Sequence, residues 1–147
     1  MYKHILIPTD GSPQSVRAAA AGIEMAKAHG ARVTALFAAP APTPLVYKRF
    51  LPVGYMTTDQ HAALIDRAAS KFLGAIEKTA AAAGVPFTRV QVTSDFPADV
   101  IVDTARRRKC DLIVMASHGR KGLVGTLLGS QTQKVLVNAT VPVLVYT

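Results

Sequence analysis

The 147 residues predict one α/β domain, with five parallel strands and helices on both faces of the sheet. Three observations carry this. Apolar segments of strand length alternate with segments of helical periodicity along the whole chain, in the order β-α-β, loop, α-β-α-β-α-β. The first strand, helix and second strand follow one another with short connections, a unit whose strands are parallel and whose crossover is right-handed. Finally, Leu112-Ile113-Val114-Met115-Ala116 is apolar without interruption, as a strand covered on both faces and central in the sheet must be.

The first strand is His4-Ile5-Leu6-Ile7, cut by Pro8. Asp10-Gly11-Ser12-Pro13 reads as a turn into a helix, because Ser12 can cap and Pro13 suits the first helical position. Val16, Ala19, Ala20, Ile23 and Ala26 then recur at helical spacing as far as His29, where Gly30 supplies the stop. Val33 to Ala38 is the second strand. Residues 39–57 contain Pro40, Pro42, Pro44, Pro52 and Gly54 without either periodicity, and a loop of that length in a compact domain marks a functional or mobile segment. Ile65, Ala68, Ala69, Phe72, Leu73, Ile76 and Ala80 define one face of a long helix that stops before Gly84-Val85-Pro86.

Phe87 to Val92 mixes polar and apolar residues, as an edge strand does. Ser94 or Asp95 can cap a third helix, with Pro97 in its first turn and Val100, Ile101 and Ala105 facing inward. After the fourth strand comes a glycine-rich stretch from Ser117 to Gly129. Ser130 and Gln133 then have the spacing of a capping box at the start of the last helix. Val141-Pro142-Val143-Leu144-Val145-Tyr146 is the fifth strand, in which Pro142 is tolerated only at the start.

Half of the residues are hydrophobic, enough for one good core. No stretch approaches the roughly 18 to 20 apolar residues of a membrane helix, and Ile5 to Ile7 is too short for a signal-peptide core, so the expected location is the cytoplasm. Cys110 is the only cysteine, beside an apolar run, and reads as a packing residue. The formal charge of +8 favours anionic ligands. Its sharpest run, Arg106 to Lys109, falls where a helix should end and complements the helix dipole. No aromatic residues interleave with it, which argues against nucleic-acid recognition.

In an open parallel sheet, ligands bind beyond the carboxyl ends of the strands where the winding reverses. Pro8-Thr9-Asp10 follows the first strand and the glycine-rich stretch follows the fourth, so the two face one crevice if these strands are neighbours. Gly119, Gly122, Gly125 and Gly129 let backbone N–H groups approach an anion, and the helix beginning at Ser130 adds donors and partial positive charge. Neither G-x-x-x-x-G-K-[ST] nor G-x-G-x-x-G occurs, which excludes a P-loop NTPase and a Rossmann dehydrogenase. The four histidines show no metal-ligand spacing, and no catalytic constellation appears.

Pro8-Thr9-Asp10-Gly11-Ser12, Ala116-Ser117-His118-Gly119, Gly129-Ser130 and Val141-Pro142-Val143-Leu144-Val145 together resemble the universal stress protein family over essentially the whole chain. That resemblance implies a Rossmann-like sheet of strand order 3-2-1-4-5, binding of ATP or the related ADP or AMP, and a role in stress response. The family's nucleotide-binding motif, G-x2-G-x9-G-[ST], appears as Ala116-x2-Gly119-x9-Gly129-Ser130, with alanine in place of the first glycine. By the same resemblance Asp10 would accept hydrogen bonds from the ribose hydroxyls, Pro8 and Thr9 would shape that wall, Ala38 and Met115 would lie near the adenine, and Ala116 would belong to the nucleotide site as the motif's first position. Gly119, Gly129, Ser130 and the amides of Gln131 and Thr132 would hold phosphates, with His118 as a contact and Arg120 or Lys121 neutralising charge. Magnesium would arrive with the nucleotide, held mainly by phosphate oxygens and water.

The residues also admit local roles. Asp10 could serve the turn and cap the first helix, and Ser130 could cap its own helix. Val143 to Tyr146 would form an exposed terminal edge, which pairing with a second copy would cover, and the resemblance also implies a homodimer. Regulatory nucleotide binding, with slow hydrolysis at most, therefore competes with a dimeric interaction protein whose pocket is vestigial because of Ala116.

Overall fold

The computed structural model describes residues 1–41, 58–119 and 128–147. Most of the proline-rich stretch, including Pro42, Pro44, Pro52 and Gly54, lies outside the described residues, as do Arg120, Lys121, Gly122 and Gly125. The elements are β1 (His4–Thr9), α1 (Pro13–His29), β2 (Arg32–Ala39), α2 (Thr58–Ala83), β3 (Phe87–Thr93), α3 (Pro97–Arg107), β4 (Leu112–Ala116), α4 (Ser130–Asn138) and β5 (Val143–Tyr146). All strand pairs are parallel and the order is β3-β2-β1-β4-β5.

Strand alternation divides the core between two faces. Ile5 and Ile7 of β1, with Leu112 and Val114 of β4, pack beneath α1 and α2 against Ile23, Ala26, Leu73 and Ile76. The intervening Leu6, Ile113 and Met115 face α3 and α4, meeting Ile101, Ala105 and Val135. Burial of each such large side chain stabilises the fold by about 2 kcal/mol. Both faces of the central strands are thus apolar, which is why β4 shows no polar alternation.

β1 continues through Pro8 to Thr9 instead of stopping at the proline. Asp111 N donates to His4 O on the β4 side, and Arg32 N donates to Lys3 O on the β2 side, so alternation turns Pro8 toward β4. The β1–β4 pairing ends at Leu6 with Ile113, and the missing N–H of Pro8 breaks no ladder.

Helix α1 starts as expected, with Ser12 accepting a hydrogen bond from Ser15 N. Its buried face is rotated from the expected one: Ser15, Ala18, Ala19, Gly22, Ile23 and Ala26 are covered, whereas Val16 and Ala20 are exposed. An alanine-rich helix has too weak an apolar contrast to fix its own phase, and the phase here is set by Ser15, whose hydroxyl lies 3.0 Å from that of Thr9.

Neither expected cap of α3 forms. Phe96 is the N-cap residue; Ser94 Oγ instead accepts from Phe96 N, and Asp95 Oδ1 accepts from Ala41 N. Both oxygens serve the loop before the helix, so Asp95 fastens the end of β2. The capping box at Ser130 and Gln133 is also absent, because Gly129 is the N-cap of α4 and Gln133 Nε2 donates to Leu128 O.

Three helices end alike at the amino edge of the sheet. Ala31, Val85 and Cys110 donate back to Ala26, Ala80 and Ala105, and Gly30, Gly84 and Lys109 occupy the left-handed position. Lys109, at φ 56°, is the non-glycine exception among the described residues. Arg106 and Arg107 both pair with Asp103, at i+3 and i+4 spacing, on the exposed surface of α3. Cys110 is buried, and burial pushes its thiol pKa up to about 11, away from a reactive thiolate. Among the described residues no helix is long and apolar enough to cross a membrane.

Candidate functional site

The winding reverses between β1, which leads through α1 to β2, and β4, which leads through α4 to β5. These neighbours pair only at Ile5 with Leu112 and Leu6 with Ile113, so their carboxyl ends part beyond that point. Thr9-Asp10 and Ala116 to Gly119 flank the opening, as the sequence predicts for neighbouring strands.

On the β1 side, Pro8 and Thr9 are buried and Asp10 is half-buried. The Thr9 hydroxyl is turned inward: it accepts from Gly11 N at 3.1 Å and meets Ser15 Oγ. Asp10 Oδ1 accepts from Ser12 N at 2.9 Å, which orients the carboxylate. Ser12, not Asp10, caps α1. On the β4 side, a Cβ built on Gly119 would fall 2.5 Å from Asp10 Oδ2. The absence of a side chain at residue 119 is therefore what lets the two loops close on each other.

The start of α4 is tied to the same place. Gly129 N donates to Ser117 O at 2.7 Å, and a Cβ on Gly129 would lie 3.1 Å from that oxygen. Thr132 is buried, its hydroxyl donating to Ala116 O and Ser117 O at 3.0 and 3.1 Å. That side chain is committed to the fold, leaving its amide for a ligand. Gln131 Oε1 accepts from Ala98 N, linking α4 to α3, and Ser130 is exposed as the first helical residue. The leading amides of α4 lack intrahelical acceptors by helix geometry, which suits an anion.

Ala38, near the end of β2, is half-buried, and Met115 and Ala116 are buried at the end of β4. Met115 packs in the cluster beneath α3 and α4. Ala116 is a strand residue without positive φ, so its methyl imposes no backbone strain where the motif has glycine. His118 Nδ1 lies 3.1 Å from Ser117 Oγ, and its Nε2 is buried without a hydrogen-bond partner among the described residues. An unsatisfied buried nitrogen beside Gly119 fits a site built to receive a polar ligand. The expected contribution of Arg120 lies outside the described residues. Among those described, no group of three or more His, Cys, Asp or Glu residues could hold a metal.

Two contributors have no signal of function in the sequence. Ser15 reads as an ordinary helix residue, and Phe72 as part of a core face; only the fold brings them to the Thr9–Gly11 turn.

This arrangement defines a doubly wound α/β protein whose switch point brings together small residues and the start of α4. The chain belongs to the universal stress protein family, whose model matches residues 1–147. It is 37% identical over 145 residues to the universal stress protein MJ0531 of Methanocaldococcus jannaschii, covering 99% of this chain and 82% of the relative. Among solved structures, the hypothetical protein MJ0577 superposes with a TM-score of 0.78 at 27% identity, covering 99% of this chain and 96% of that one. A universal stress protein in complex with cAMP superposes with a TM-score of 0.68 at 25% identity, covering 98% and 95%.

Proposed function

We propose that the β1–β4 cleft binds ATP or a related adenine nucleotide and that the chain acts as a regulatory module of the cytoplasm, with slow hydrolysis at most. The observation that carries this is the convergence of Asp10, Gly119 and the Gly129-led start of α4 on one opening, a carboxylate for a diol beside bare amides for phosphates. The solved relative in complex with cAMP supports adenine as the ligand class. Asp10 would accept from the ribose hydroxyls, Ala38 and Met115 would border the base, and the amides of Gly119, Ser130, Gln131 and Thr132 would face the phosphates. Magnesium would come with the nucleotide and neutralise phosphate charge, its remaining ligands being water.

Mass spectrometry of the small molecules that copurify, together with a thermal shift on adding ATP and magnesium, tests this reading. Retained adenine nucleotide that is lost in Asp10→Ala and Gly129→Val is the expected result. A protein that emerges empty and shows no shift would refute it.

The place of β5 at the end of the sheet, without a further strand beside it among the described residues, favours a homodimer in addition. Its residues are half-buried, and Val143 and Val145 direct their backbone groups away from β4, because Pro142 O and Tyr146 O accept from that strand. Pairing with the same strand of a second copy would satisfy those groups.

A further inference from the structure

We infer that Phe72 of α2 is a positioning residue for the Asp10 carboxylate and that, through it, α2 sets how firmly the cleft holds a ribose. The inference rests on the nucleotide reading of the cleft. Gly11 follows Asp10 at φ +78°, and a Cβ built on Gly11 would clash with the tip of the Phe72 ring at Cζ, Cε1 and Cε2. The tip of the ring therefore rests directly on the turn. The ring also packs on the core beneath α1 and α2 and meets Phe37 edge to face at 5.6 Å and 79°. Phe37 pairs in register with Thr9 and immediately precedes Ala38, so a single ring braces both the turn bearing Asp10 and the end of β2 that would border the base.

Within the turn, Gly11 N donates to Thr9 Oγ1, Ser12 N to Asp10 Oδ1 and Ser15 N to Ser12 Oγ, while Thr9 is also tied to Ser15 Oγ of α1 and pairs with Phe37 of β2. These bonds fix the internal shape of residues 9–12. Beyond Thr9, on the α2 side, steric contact between Gly11 and the Phe72 ring limits how far the turn can settle. A shorter side chain would let the turn settle toward α2 and draw Asp10 Oδ2 away from Gly119. Affinity gained from ribose hydroxyls would fall, while phosphate contacts at the far side of the cleft would be spared.

The experiment compares Phe72→Leu with Ile76→Val, a control that loosens the same helix in the core away from the turn. Binding of ATP and of 2′,3′-dideoxy-ATP is measured for each, along with the Ser12 and Gly119 amide shifts of the nucleotide-free protein. The expected result is that Phe72→Leu lowers the preference for ATP over the dideoxy analogue about fivefold and shifts both amides, whereas Ile76→Val changes neither. An unchanged preference in Phe72→Leu, or the same change in both variants, would overturn the inference. Wild-type protein that binds neither nucleotide would remove the nucleotide reading, and the amide shifts would then decide the positioning by themselves: movement in Phe72→Leu alone sustains it, and stationary amides end it.

Discussion

Asp10 Oδ2 occupies the space that a side chain at Gly119 would need, at 2.5 Å from its ideal Cβ. Two segments more than a hundred residues apart thereby close one cleft. Gly119→Ala should push the carboxylate off its position on Ser12 N and weaken ATP binding about tenfold, with little change in melting temperature because Gly119 is exposed. Titration calorimetry beside a thermal melt separates the two effects, and undiminished affinity would show that the Asp10 carboxylate contributes nothing to the ligand.

Ala116 bears on whether the pocket is vestigial. Since it lies in β4 without positive φ, Ala116→Gly should leave ATP affinity within about threefold of the natural chain, and should cost about 0.5–1 kcal/mol of stability through added chain entropy. Binding that appears only in the glycine variant would instead favour the interaction-protein alternative.

At the amino edge of the sheet, Lys109 closes α3 in the left-handed conformation that glycine adopts after α1 and α2. Lys109→Gly relieves that conformation, and we expect about 0.5–1 kcal/mol of added stability by denaturant titration. A loss of stability would mean that the lysine side chain contributes more than its backbone costs.

His4 should make stability fall in mild acid. It is buried with Nε2 2.7 Å from Thr34 Oγ1, and burial, aided by Arg32, lowers its pKa from 6.5. Below that value the unfolded chain takes up a proton that the folded chain resists, so stability is fully present above pH 6.5 and declines as the pH falls toward the lowered folded value. Asp111 adds a later loss: burial works to raise its pKa, but the N–H groups of His4 and Lys3 more than offset this and hold it below 3.8. Melting temperatures at about pH 7.5 and about pH 5.5 should therefore differ more in the natural chain than in His4→Gln. Equal differences would remove His4 as the cause.

The β5 edge gives a test of assembly. Val145→Pro removes an N–H directed away from β4 and should convert a dimer to a monomer in analytical ultracentrifugation while leaving the sheet intact. A natural chain that sediments as a monomer would dispose of the dimer.

The sequence by itself determined the order of elements, the central place of β4 and the identity of the loops beside the cleft. The reason is that apolar periodicity and glycine and proline positions act locally: Gly30 and Gly84 end helices where they stand, and Leu112 to Ala116 cannot face water on either side. The rotation of α1, the inward turn of Thr9 and Thr132, and the use of Asp95 to fasten β2 came only from the tertiary structure. Short polar side chains have several acceptors within reach, and an alanine-rich helix has little apolar contrast, so packing selects among alternatives that the local chain leaves nearly equal. Phe72 is the clearest case: its spacing marks a core face of α2, but its contact with Gly11 exists only because α2 crosses the turn after β1.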